Sequence, residues 1–192
     1  MLHNTFCRRL AALVLTLAVA VSAVLPVFAV YPMPIQTATE TEAAYLFNAD
    51  TGKTLLTQNA DQPRYVASLT KMMTALLLLE SGKDLNGEVT VPTDLTQEFK
   101  DIQNANGTTM GLRIGETVRR IDLLNALLIT SANDAASVIA WDVGGSLNAF
   151  IQQMNARAAE LGCTSATFTC AHGLYDYGNV ASAEDMAKIA AA

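Results

Sequence analysis

Ser68 and Lys71 stand three residues apart at the start of an apolar stretch that runs from Ala67 to Glu80. On a helix that spacing puts both side chains on one face, one turn apart. A serine hydroxyl is a weak nucleophile at neutral pH, and an amine takes its proton only when the amine is itself uncharged. Burial supplies that condition: lowering a lysine from about 10.4 to about 7 represents roughly 4 to 5 kcal/mol of differential solvation. Backbone N–H groups and the positive dipole end of a helix N-terminus near Ser68 favour the negative charge that develops during acyl transfer. The plain reading of the same residues is weaker chemistry. A Ser-x-x-Lys match arises about once by chance in a chain of this size, and a lysine near a helix start ordinarily snorkels to water.

A second polar island falls at Thr130-Ser131-Ala132-Asn133-Asp134, where an apolar sequence is interrupted. Polar side chains between two buried helices need partners, so Ser131 and Asn133 are either a helix cap or part of a site. Gly52-Lys53-Thr54 imitates the end of a phosphate-binding loop. That loop needs a glycine five positions before Gly52, where Phe47 stands.

The elements that must position these groups follow from pattern. Ala43 to Ala49 and Lys53 to Asn59 read as a hairpin closed by Asp50-Thr51-Gly52. Ala67 to Glu80, free of proline and stopped by Gly82, reads as one helix of about four turns. Its apolar residues do not keep to one stripe, which places it in the middle of the domain. A short strand, Glu88 to Val91, and a helix, Asp94 to Ile102, come next, then a turn region from Gly111 to Glu116. Helices follow over Ile121 to Leu128, through Ala140, and over Ser146 to Leu161, the last stopped by Gly162. Thr164 to Asn179 reads as loop, and Ser182-Ala183-Glu184-Asp185 opens a final helix as a capping box.

Arg8 and Arg9 precede an apolar run and Val27-Phe28-Ala29, the pattern of a secretory signal over residues 1–29. An uncleaved N-terminal membrane anchor is the alternative. Residues 30–42 read as a linker, and 43–192 as a folded region of ample size for a core. Beyond Ala29 the chain carries ten basic and eighteen acidic residues, a formal charge of −8 that argues against nucleic acid as a partner. Cys163 and Cys170, seven apart in an exported chain, are candidates for a disulfide and make a poor zinc site.

Taken together, Asp50-Thr51-Gly52-Lys53, Ala67-Ser68-Leu69-Thr70-Lys71-Met72-Met73, Ser131-Ala132-Asn133-Asp134 and Ser182-Ala183-Glu184-Asp185 resemble the serine-type D-alanyl-D-alanine carboxypeptidases, low-molecular-mass penicillin-binding proteins. The resemblance covers the chain from about Ala43 to its end, with order and rough spacing in agreement. It implies an α+β penicillin-recognising fold and removal of the terminal D-alanine from peptidoglycan stem peptides through an acyl-enzyme, without cofactor or metal. Ser68 would be the acylated nucleophile and Lys71 its base. Ser131 would relay a proton, and Asn133 would hydrogen-bond the substrate backbone. β-Lactams would be covalent inhibitors, and the protein would act in the cell envelope, with membrane association through the N-terminal segment or a C-terminal anchor.

One departure stands out. The family's third motif, Lys-Thr-Gly on a later strand, does not occur: Lys53-Thr54-Leu55 lacks the glycine and precedes Ser68. The resemblance therefore implies a C-terminally truncated chain holding the N-terminal hairpin and most of the helical cluster, without the later sheet strands. Losing one oxyanion donor costs roughly 10² to 10³ in rate, so little turnover is expected. Among rivals, a class A β-lactamase shares the first two motifs but deacylates with a loop glutamate, and Thr164 to Asn179 offers only Asp176. A Ser-His-Asp hydrolase would have to use His172, in a turn-like segment. A non-catalytic, wall-binding relative is the reading of another class.

Overall fold

The computed structural model describes residues 42–174 and 176–192; the expected signal segment and all of the linker but Glu42 lie outside the described residues. The chain opens with an antiparallel hairpin, β1 (Ala44–Phe47) and β2 (Thr54–Gln58), in which Ala44 faces Gln58 and the register shifts between Leu46 and Phe47. Gly52, at φ 67, donates to the Asn48 carbonyl, the positive dihedral that the turn reading requires.

A 3-10 turn (Ala67–Leu69) leads into α1 (Thr70–Glu80). The expected single helix is thus two pieces, because Ala67 sits at φ 46, outside helical space. Alanine's high helix propensity gave no hint of this. The cause is tertiary and lies in the loop that packs on Ala67. Helix α1 is central, as its unstriped apolar pattern implied, and Met73 and Leu78 are fully buried.

Around it come α2 (Thr96–Asn104), α3 (Arg120–Asn125), α4 (Asn133–Gly144), α5 (Leu147–Glu160) and α6 (Ala183–Ala191). Helices α4, α5 and α6 pack directly on α1, and α6 also packs on β1. Alanines at 132, 135, 136 and 140 are fully buried, so α4 approaches its neighbours closely. Phe150 and Met154 of α5, each worth roughly 1.5 to 3 kcal/mol when withdrawn from water, fill the space between them. The Ser146 hydroxyl accepts from Ala149 N–H and the Ser182 hydroxyl from Asp185 N–H, so Ser146, read as the first residue of its helix, is the cap of α5, and α6 begins where its capping box was read.

Two pairings were not legible. Strand β4 (Glu88–Thr90) pairs with β5 (Thr117–Arg119), and β3 (Arg64–Tyr65) pairs with β6 (Val180–Ala181), so the turn region and the long loop each end in a short strand. Helix α3 also does not run on regularly. It passes into a π-helical segment (Ala126–Thr130) that ends at Ser131 in the left-handed region, φ 58 and ψ 37. Ser131 is therefore a hinge between helices, the left-handed C-cap of the π-helical segment and not the N-cap of α4; that position belongs to Ala132, without a side-chain bond. Arg120 holds Asp142 bidentately at 2.7 and 3.0 Å, tying the start of α3 to the end of α4 on either side of that hinge.

Candidate active site

Ala171, His172, Gly173 and Asn179 lie along the first two turns of α1 and shape the backbone at Ser68. The Thr74 hydroxyl donates to the Ala171 carbonyl at 2.6 Å, and the Asn179 amide donates to the Thr70 hydroxyl at 2.7 Å. Gly173, at φ 76, presses so closely on Ala67 that a Cβ there would overlap the Ala67 carbonyl. This contact accounts for the positive φ of Ala67 and lifts Ser68 out of the regular helix into the 3-10 turn.

Lys71, 2% exposed, points back along α1 into this junction. Its Nζ lies 3.1 Å from Ser68 Oγ, 2.8 Å from Asn133 Oδ1 and 2.6 Å from the His172 carbonyl. All three partners are neutral oxygens, and Lys71 enters none of the ion pairs among the described residues. No carboxylate offsets the burial, which lowers the amine from its ordinary 10.5 to about 8 against an upward coulombic pull from Cys170. In the neutral amine, two N–H bonds satisfy Asn133 and His172, and the remaining lone pair faces Ser68 Oγ. The geometry that would hold an ammonium thus also aims a base.

Asn133 is 4% exposed and is held through both its side chain and its backbone. Beyond Lys71, its Nδ2 donates to the Thr108 carbonyl at 3.0 Å, and its backbone N–H donates to the same oxygen at 2.8 Å. The next residue fixes the loop that supplies that carbonyl: Asp134 accepts from the N–H groups of Met110, Gly111 and Leu112, each at 3.0 Å. Gly107 leaves room for this packing, since a Cβ there would stand 2.8 Å from Asn133 Nδ2.

Ser131 lies on the wall of an open groove of about 410 Å³ that is also lined by Ser68, Leu69, Lys71, Met72 and Leu128. No hydrogen bond among the described residues joins its hydroxyl to Ser68 or Lys71. The four residues singled out from sequence therefore converge, three in direct hydrogen-bond contact and Ser131 facing the same space.

Three participants carried no readable signal. The His172 carbonyl reaches Lys71 across 101 residues of chain, and a backbone oxygen leaves no trace in residue types. The His172 ring bonds Glu98 of α2 at 3.0 Å, and Glu98 also accepts from the Ser137 hydroxyl of α4 at 3.0 Å. The hydrogen bond from His172 leads burial in setting Glu98, whose carboxyl is held below its ordinary range. Cys170 and Cys163 are both free thiols, so the disulfide does not form.

The sequence matches the family model for D-alanyl-D-alanine carboxypeptidases, Peptidase S11, over residues 31–192. It is 33% identical over 151 residues to the D-alanyl-D-alanine carboxypeptidase DacF of Bacillus subtilis, covering 79% of this chain and 38% of that protein. It is likewise 33% identical over 175 residues to a D-alanyl-D-alanine endopeptidase of Pseudomonas aeruginosa, covering 91% and 54%. The structure superposes on the Streptomyces K15 DD-transpeptidase with a TM-score of 0.70 at 31% identity, over 77% of this chain and 58% of that one. Penicillin binding protein 5 of Haemophilus influenzae gives 0.68 at 31% identity, over 78% and 43%. The chain thus spans from under two fifths to under three fifths of the length of these proteins. The hairpin and helical cluster are those of the α+β penicillin-recognising fold, and the chain belongs to the D-alanyl-D-alanine carboxypeptidase family.

Proposed function

We propose that this chain carries the acylation half of a serine-type D-alanyl-D-alanine carboxypeptidase site, with Ser68 as nucleophile and Lys71 as its base. The observation that carries the reading is the seat of Lys71: a buried amine lowered to about 8, 3.1 Å from Ser68 Oγ, with its other two hydrogen bonds fixed on neutral oxygens. In the reaction, Nζ takes the proton of Ser68 as Oγ attacks the carbonyl of the penultimate D-alanine. The tetrahedral intermediate expels the terminal D-alanine, whose nitrogen must be protonated as it leaves. In this reading Ser131, which lines the same groove, passes the proton from Lys71 to that nitrogen. Water then attacks the acyl-enzyme and frees Ser68.

Asn133 has a different emphasis from a pure substrate contact. Its Oδ1 accepts from Lys71 and one Nδ2 hydrogen goes to Thr108, so in this state it holds the base, and the second Nδ2 hydrogen is the donor for a substrate carbonyl. Because no Lys-Thr-Gly occurs in the sequence, these residues alone provide no third-motif oxyanion donor, and we expect slow acylation and little turnover from them. The stem peptide of peptidoglycan is the proposed substrate, β-lactams the covalent inhibitors, and the outer side of the cytoplasmic membrane the place of action, in keeping with a signal segment over residues 1–29. No described helix is long and apolar enough to cross a membrane.

Fluorescent penicillin offered to the full-length gene product is the test. Covalent label on Ser68 that Ser68→Ala removes, and that persists well beyond a minute, supports the carboxypeptidase reading. Rapid loss of label would point to a β-lactamase, and no uptake to a binding relative.

A further inference from the structure

Two of the three oxygens around Lys71 Nζ come from segments other than its own helix, Asn133 Oδ1 from α4 at 2.8 Å and the His172 carbonyl from the loop at 2.6 Å. The spacing of those two segments decides where the amine points. Thr74 and Asn179 tie the loop to α1, and the Thr108 carbonyl holds Asn133. Neither set of bonds joins the loop to α4.

Glu98 of α2 does. Its Oε1 lies 3.0 Å from His172 Nε2 and accepts from the Ser137 hydroxyl at 3.0 Å. Ser137 stands one turn beyond Asn133 on α4, and the same hydroxyl lies 3.3 Å from the Asn133 carbonyl. The other ring nitrogen, Nδ1, accepts from Leu174 N–H at 3.0 Å, and an imidazolium would set a second N–H against that donor. Nε2 therefore carries the ring proton and donates it to Glu98. A closed circuit results, from Lys71 through Asn133, Ser137, Glu98 and His172 back to Lys71.

We propose that Glu98 is a positioning residue for acylation: by drawing His172 and Ser137 onto one carboxylate oxygen, it fixes the spacing of the two acceptors that aim Lys71 Nζ at Ser68. The inference rests on the reading of Lys71 as the base of Ser68. A carboxylate suits the task because it only accepts, so it meets both donors without offering a competing hydrogen. The hydrogen bond from His172 keeps Glu98 in that form at neutral pH. His172 and Glu98 are largely withdrawn from water, with side chains 10% and 24% exposed, so solvent is a poor substitute for either bond. Glu98 is no countercharge to the base, whose ionisation answers to burial and to Cys170. It acts through distance. Hydrogen bonds weaken steeply as they bend, and a misplacement of about 1 Å can cost about 10²-fold in rate.

The experiment follows fluorescent-penicillin acylation of the full-length gene product at pH 7 over a range of penicillin concentrations, which separates the initial complex from the acylation step. Thermal unfolding of each sample gives the folded fraction. Glu98→Ala is expected to slow the acylation step by at least about tenfold and to change the initial complex by less than about threefold. Glu98→Gln keeps an oxygen that can accept from both His172 and Ser137, and is expected to acylate within about threefold of the wild type. Ser137→Ala cuts one arm and leaves the carboxylate in place; it is expected to slow the step by about threefold or more, and it carries the test if Glu98→Ala does not fold. Where both fold, the double variant should be no slower than Glu98→Ala, because the two act through one link. A Glu98→Ala protein that unfolds earlier yet acylates at the wild-type rate per folded molecule overturns the proposal. So does a Glu98→Gln protein as slow as Glu98→Ala, since charge and not spacing would then be at work. Lys71→Met, run in parallel, tells these failures from that of the underlying reading: acylation of that variant at the wild-type rate would place the base elsewhere and overturn both.

Discussion

Lys71 Nζ stands 2.8 Å from Asn133 Oδ1, joining residues 62 apart, and no carboxylate takes the place of that amide oxygen. The neutrality of this partner is what lets burial lower the amine. A carboxylate in the same position would stabilise the ammonium and disarm the base. Asn133→Asp is therefore expected to shift the midpoint of the acylation–pH profile upward by more than about one unit and to cut penicillin acylation at pH 7 by more than about tenfold. The shape is kept, but the second carboxylate oxygen faces the Thr108 carbonyl that Nδ2 now bonds, so thermal unfolding of the same sample separates a weakened fold from a shifted base. Unaltered acylation at pH 7 would show that Asn133 does not set the state of Lys71.

The same lowered amine makes stability depend on pH in a defined direction. Its folded value, about 8, lies below its ordinary 10.5, so the folded chain binds fewer protons than the unfolded chain between the two. Stability is expected to rise with pH across that window by up to about 3 kcal/mol from this one group, and the burial penalty is fully present below pH 8. Denaturant unfolding of the wild type and of Lys71→Met at pH 7 and pH 10 measures it. The wild-type gain on raising pH should be larger than that of the variant.

Ser131 holds a left-handed backbone that a glycine would adopt without strain. Ser131→Gly is expected to leave stability unchanged or raise it by about 1 kcal/mol while slowing acylation by at least about tenfold, because the hydroxyl goes and the hinge stays. Thermal unfolding and penicillin labelling on the same sample separate the two effects. Loss of both fold and labelling would mean the hydroxyl is structural.

How much of this site was open to reading from residues alone is decided by distance along the chain. The three-residue step from Ser68 to Lys71, the turn at Gly52, and the cap at Ser182 are local, and periodicity or cap chemistry reveals them. The left-handed Ala67 was hidden because its cause, Gly173, is over a hundred residues away. The π-helical turn before Ser131 was hidden because Ala126 to Ile129 is as apolar as any regular helix. The acceptor on His172 was hidden because it belongs to the backbone.

Gly173 is the position where that long-range cause can be tested. A methyl group there meets the Ala67 carbonyl and the Thr70 hydroxyl and must also tolerate a positive φ. Gly173→Ala is expected to destabilise the fold by about 2 to 4 kcal/mol and to slow acylation by displacing Ser68 from Lys71. Gly82→Ala, at a positive φ with open space around it, is the control for backbone strain alone and should cost only about 1 kcal/mol. Equal effects would mean the Ala67 contact does not shape the site.

The most direct measurement is the ionisation of the Lys71 amine itself, followed by nitrogen-detected NMR titration of lysine-labelled protein, with Lys71→Met to assign the resonance. A midpoint near 8 for Lys71, well apart from the exposed lysines, is the expected result. A midpoint in the ordinary range near 10.5 would mean that the amine stays charged at neutral pH and that Ser68 must look elsewhere for its base.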